Sequence, residues 1–172
     1  MSLAVLFATS TLVLSGCTTD GGHPSKPTSN GATTMNSTSS KGNPSIPAVS
    51  GPATSAPTIA APHGTPPTTL LTQDVITGSG ATAVPTSTLT VHYTLMAWST
   101  GKVVESSWTS GQPATFALAQ VIPGWQQGIP GMKIGGRRVL VIPPALGYGA
   151  AGAGPIGPNE TLVFVVDLIA IA

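Results

Sequence analysis

The residues able to do acid–base, nucleophilic or metal chemistry are few and scattered. Five carboxylates, six Lys and Arg, three His and one Cys are spread over 172 residues. His23, His63 and His92 have no metal-ligand spacing between them, and one cysteine makes neither an internal disulfide nor a thiolate zinc site. The C-terminal carboxylates are Asp74, Glu105, Glu160 and Asp167, too sparse to support paired acid–base work. No nucleophile elbow accompanies His92, so hydrolase chemistry is unsupported. Residues 147–152, GYGAAG, fit a G-x-G-x-x-G pattern. Gly154, Pro155, Gly157 and Pro158 then forbid the helix that a dinucleotide site needs, so the segment reads as a flexible loop. What remains is apolar. Val121-Ile122-Pro123-Gly124-Trp125 places a Trp at the start of a short helix. On residue type alone, Trp125 is either a core side chain or the floor of an apolar pocket.

The elements that must position such a pocket are mostly strands. Residues 88–95, TLTVHYTL, alternate with Leu89, Val91, Tyr93 and Leu95 on one face and Thr88, Thr90, His92 and Thr94 on the other. Residues 102–105 and 115–118 are short strand candidates. Residues 137–142, RRVLVI, form a strand stopped by Pro143-Pro144. Residues 162–170, LVFVVDLIA, read as a buried strand. The single helix candidate spans 124–129 and is closed by Pro130-Gly131. Many strands, one short helix and Gly/Pro turns predict an α+β domain, a small antiparallel sheet wrapped over one helix. Seven of the eight aromatic residues lie at or after Tyr93, so the core belongs to residues 70–172.

The N-terminal part is of another kind. Residues 3–14, LAVLFATSTLVL, are too short an apolar run to span a bilayer and fit the apolar region of an export signal over residues 1–16. The usual basic residue before it is missing, a departure that leaves open whether the natural start is Met1 or lies upstream. Leu14-Ser15-Gly16-Cys17 resembles the lipobox of bacterial lipoproteins, in which the chain is cut before the Cys and the Cys is lipidated. A plain signal peptide with an incidental Cys stays open. Two or three acyl chains on Cys17 would anchor the chain stably. Residues 18–69 are dominated by Ser, Thr, Pro, Gly and Ala and contain no Leu, Phe, Trp or Tyr. Such composition predicts a disordered tether, with a reach of roughly 40 Å as a flexible coil. Asn36-Ser37-Thr38 is a chance sequon in such a protein. A net charge of +1, with no basic cluster larger than Arg137-Arg138, excludes a nucleic-acid footprint.

Several motifs occur in order within residues 70–172. They are Val91-His92-Tyr93-Thr94, Val121-Ile122-Pro123-Gly124-Trp125, GIPGMKIGGR at 128–137, Val141-Ile142-Pro143-Pro144, Leu146-Gly147-Tyr148-Gly149 and NETLVF at 159–164. The region resembles the FK506-binding (FKBP) class of peptidyl-prolyl isomerases. The resemblance implies a bent antiparallel sheet around one short helix, and an apolar pocket between them that accepts a proline ring. By motif, Trp125 would be the pocket floor, and Tyr93 and Phe164 aromatic walls. Val104, Val121, Ile122 and Ile156 would be apolar contacts. The Ile122 N–H would hold a substrate carbonyl, with Tyr148 offering its hydroxyl from the rim and Glu105 standing at the family's polar position. No cofactor or metal is implied. Partners would be proline-containing unfolded or exported polypeptides and FK506-type macrolides, met by a monomer on the extracytoplasmic face of a bacterial cell membrane. Val104-Glu105 replaces the family's common Phe-Asp, Ala114 replaces an aromatic of eukaryotic members, and Gly157 stands where a Pro is expected. These changes imply reduced turnover and weak macrolide affinity. The alternative is a proline-segment binding or chaperone module with little or no turnover.

Overall fold

The computed structural model describes Asn43 and residues 45–172. The expected signal, Cys17, the sequon at Asn36 and the tether up to residue 42 lie outside the described residues. The strands are β1 (Val49–Ser50), β2 (Thr58–Ile59), β3 (Leu71–Ile76), β4 (Thr88–Ala97), β5 (Lys102–Ser106), β6 (Ala114–Ala117), β7 (Arg137–Ile142) and β8 (Leu162–Ile171). Among the described residues one α-helix, α1 (Pro123–Gly128), completes the set with three short 3-10 turns. The main sheet has the order β3-β7-β8-β4-β5, and β6 pairs with β4 beside β5. Every pairing is antiparallel. The expected α+β architecture is therefore the observed one.

β8 is the central strand because both of its faces can be buried. Leu162, Phe164, Val166 and Leu168 enter the core that contains Trp125, while Val163 and Val165 enter a second cluster with Met96, Trp98, Val139 and Val141. A strand covered on both sides reads as a continuous apolar run, which is the pattern of residues 162–170. β4 keeps the alternation expected for it. Leu89, Val91 and Leu95 are buried in the inner core and Tyr93 packs against it.

Helix α1 sits against β7 on the inner face through two glycines one turn apart. A Cβ on Gly124 would overlap the Ile142 side chain, and one on Gly128 the Leu140 side chain. Only glycine permits this approach, and it turns Trp125 toward the sheet's aromatic residues. Pro123 in the first turn needs no N–H partner. At the other end Arg138 donates to the Gly128 carbonyl at 2.8 Å while pairing with Asp74 at 2.6 Å, so one guanidinium caps the helix and ties it to β3.

Residues 45–69 differ from the expected tether. β1 and β2 form a hairpin, with Val49 opposite Ile59, and Ile46, Val49 and Ile59 pack on the outer cluster of Met96, Trp98 and the β7 and β8 valines. Arg137, wholly buried, donates to Gly51 O at 3.0 Å and Ser55 O at 2.7 Å. Its remaining hydrogen bonds go to Asp167 at 2.6 and 2.9 Å. Burial raises the Asp167 carboxyl above its ordinary value, against the pull of that guanidinium. The segment is poor in large apolar residues, but three aliphatic anchors and one guanidinium suffice because the sheet supplies the other half of the interface. We call residues 45–69 the strap.

Candidate functional site

The concave inner face opens beside α1 into a cavity of about 400 Å³. It is lined by Tyr93 and Leu95 from β4, Glu105 from β5, Phe116 from β6, Trp125 from α1 and Phe164 from β8, with Gln120, Val121, Ile122 and Tyr148 around them. The strand register brings these together. Leu95 is opposite Phe164 on one side and Glu105 on the other, and Leu89 is opposite Phe116.

Three aromatic rings stand edge-on or nearly so around the Trp125 indole. Centroid distances are 5.3 Å to Phe164, 5.7 Å to Phe116 and 6.1 Å to Tyr93, with interplanar angles of 86°, 81° and 80°. Edge-to-face contacts of this kind favour a rigid arrangement by about 0.5–1.5 kcal/mol per pair. Trp125 is 4% exposed, and its Nε1–H finds no acceptor among the described residues. The floor is thus a desolvated aromatic surface with one unused donor.

Polar groups lie at the edge of this surface. The Tyr93 hydroxyl donates to Glu105 Oε1 at 2.5 Å. Burial first, then this hydrogen bond and the Glu105 charge, push the Tyr93 phenol well above its ordinary range, so it stays protonated. The Ile122 carbonyl accepts from Trp125 N at 3.0 Å, while the Ile122 N–H makes no backbone hydrogen bond among the described residues. Gln126 Nε2 donates to Val121 O at 2.8 Å and fixes the segment that carries that N–H. Tyr148 follows the 3-10 turn Pro144–Leu146 and is 38% exposed. The site can therefore hold an uncharged apolar ring, with N–H and hydroxyl donors at its edge. It contains no acid–base pair for bond cleavage, since its one carboxylate is held by a tyrosine.

Seven of the residues singled out from the sequence meet here: Tyr93, Glu105, Val121, Ile122, Trp125, Tyr148 and Phe164. Two stand apart. Val104 packs against the inner core, and Ile156 is buried in it at 7% exposure, but neither lines the cavity. Phe116, Leu95 and Gln120 line it and were not singled out. Phe116 carried a signal, as the one aromatic in the 115–118 strand pattern. Residues 147–152 form a loop, as expected. Gly152 has φ +67°, and a Cβ there would collide with Ile156 O.

A model of the FKBP-type peptidyl-prolyl cis-trans isomerase family matches residues 80–169. An FK506-binding protein of Streptomyces anulatus is 48% identical over 119 residues, covering 67% of this chain and 96% of that protein. A probable FK506-binding protein of Corynebacterium glutamicum is 48% identical over 113 residues, covering 66% and 96%. Among solved structures, FkpA from Escherichia coli superposes with a TM-score of 0.56 at 43% identity. The match covers 59% of this chain but 47% of that longer one. AtFKBP13 superposes with a TM-score of 0.55 at 38% identity, covering 60% and 93%. The motifs, the bent sheet around one helix and these matches lead to one conclusion: the chain belongs to the FKBP-type peptidyl-prolyl cis-trans isomerase family.

Proposed function

We propose that the aromatic cavity holds the ring of a substrate proline and accelerates rotation about the preceding X-Pro bond. Amide resonance opposes that rotation with a barrier of about 18–20 kcal/mol, and uncatalysed exchange takes roughly 10–100 s. The twisted transition state has lost resonance and some charge separation, so a dry aromatic surface favours it relative to water. The observation that carries the reading is the indole of Trp125 ringed by Phe164, Phe116 and Tyr93, with the Ile122 N–H unengaged in backbone bonding beside it. In this reading Trp125 supports the proline ring, Tyr93 and Phe164 wall it, and Val121 gives apolar contact. The Ile122 N–H holds a substrate carbonyl, Tyr148 donates from the rim, and Glu105 orients Tyr93. No bond is broken, so the reaction asks for no cofactor. FK506-type macrolides would compete for the same cavity.

The wider setting belongs to the same proposal. Cys17 is lipidated, and the domain acts as a monomer on exported polypeptides at the extracytoplasmic face of a bacterial membrane. The LSGC motif after an apolar run supports this. The testing measurement is the cis–trans exchange rate of a short Leu-Pro peptide, followed by NMR with the full chain. Acceleration that is weakened by Tyr148→Phe and blocked by a macrolide supports turnover. A folded chain that binds the peptide without acceleration supports the second reading, a proline-segment holder. One observation favours that reading: Val104 leaves its side of the cavity without an aromatic wall.

A further inference from the structure

The strap does more than cover the outer face. It passes the β4–β5 turn, where Gly101 lies against Ala61 and Pro62, and ends beside the loop that carries Tyr148. There a second concavity of about 500 Å³ lies between Pro66 and Pro67 of the strap and Pro143 and Pro144 at the end of β7, with Gly149 and Ala150 also lining it. Tyr148 lines the aromatic cavity and its next neighbours line this groove, so one loop borders both.

We infer that this groove is a second subsite for the same polypeptide, taking an uncharged apolar side chain, best an aromatic one, that flanks the proline held in the aromatic cavity. The inference rests on the isomerase reading of that cavity. Four observations carry it. The groove is walled by four prolines, which present apolar rings and no N–H donors. No lining group is charged, and Glu160, the carboxylate adjacent in sequence, is turned to Ser99 through hydrogen bonds of 2.9 Å and 2.6 Å. One wall is fixed in advance: Gly149 N donates to Pro144 O and Asn159 N to Gly149 O, both at 2.9 Å, and hold the loop, while the strap is anchored upstream of its two prolines, at Gly51 and Ser55 by Arg137 and at Ile59 by the outer apolar cluster. A preformed wall lowers the ordering cost of binding. Finally, the sequence neighbours Tyr148 and Gly149 line the cavity and the groove respectively, so a chain leaving one passes a single loop to reach the other.

The test compares two peptides on the full chain by NMR exchange. One is short, with a central Leu-Pro. The other extends the same Leu-Pro on both sides with apolar residues that include Phe. A buried apolar side chain should favour the long peptide in kcat/KM on the order of tenfold. Ala150→Glu, a charge placed in the uncharged groove, should erase that preference while leaving the short peptide within about twofold, since Ala150 lies outside the aromatic cavity. Pro66→Ser with Pro67→Ser should reduce it in the same direction. Equal handling of both peptides by the parent chain, or a preference that survives Ala150→Glu, overturns the proposal. If neither peptide is accelerated, the isomerase reading fails, and titration of the long peptide still decides about the groove. Shifts at the Gly149, Ala150 and Asn159 amides that Ala150→Glu abolishes sustain it, and unmoved amides overturn it.

Discussion

The Tyr93 hydroxyl donates to the Glu105 carboxylate at 2.5 Å, joining β4 to β5 at the edge of the aromatic cavity. Burial first, and this contact second, keep the phenol protonated. Burial penalises the phenolate, and a nearby negative charge penalises it again.

Tyr148→Phe leaves Tyr93 as the sole tyrosine of the chain. In that variant no phenolate absorbance should appear through about pH 10, the ordinary tyrosine range. Because the folded-state pKa is raised, the stabilisation is fully present below the ordinary value and is lost as pH rises through and above it. Ionisation should therefore accompany alkaline unfolding rather than precede it. Glu105→Gln in the same background should lower the midpoint only partly, since burial is the larger cause. A midpoint near the ordinary value in the folded parent variant would overturn this account.

Trp125 contributes both floor and core. Trp125→Ala should cost about 3–5 kcal/mol by urea denaturation, because the three surrounding rings cannot all close the gap. Trp125→Phe should cost markedly less, about 1–2 kcal/mol, since it also removes a buried N–H without a partner. Equal costs for the two variants would show that the indole is not packed as described.

Arg137 binds the strap to the sheet. Arg137→Met leaves Asp167 buried without its cation and two strap carbonyls without their donor, and should cost about 3–5 kcal/mol. Arg137→Lys keeps the charge but not the fork, and should fall between the variant and the parent. Limited proteolysis should then cut first within residues 45–69. Cleavage there at the parent's slow rate would show that the strap is held by something other than this guanidinium.

The legibility of the chain follows from where each signal is stored. Residues 137–142 were readable as a strand with both ends, because a short apolar run follows Arg137-Arg138 and Pro143 stops it. β4 and β8 were readable to within two residues at their ends, and α1 to within one. Their patterns are local. The strap was not legible, because its few anchors find their partners only after β4, β7 and β8 have assembled. Its latch, Arg137, lies more than eighty residues away. β3 was missed for a related reason. LTQDVI alternates on an edge strand whose exposed positions look like loop, and its ion pair is with Arg138 of β7. The cavity was largely legible through its motifs. Val104 and Ile156 were displaced from it because a motif fixes a residue's place on a strand or loop but not how far its side chain reaches.

Val104 marks where the cavity can be extended. It packs on the inner core without reaching the lining, next to Glu105, which does reach it. Val104→Phe with Glu105→Asp restores the pair common in the family. The added ring offers about 1–2 kcal/mol of apolar contact at the open side. If that contact forms mainly in the twisted state, kcat/KM should rise on the order of tenfold. Glu105→Asp alone should give no gain, because the shorter carboxylate draws back from the Tyr93 hydroxyl. The pair of measurements separates the wall from the hydrogen bond. A gain in affinity without a gain in turnover would mean that the ring binds both states equally, and would overturn the view that the missing wall limits turnover.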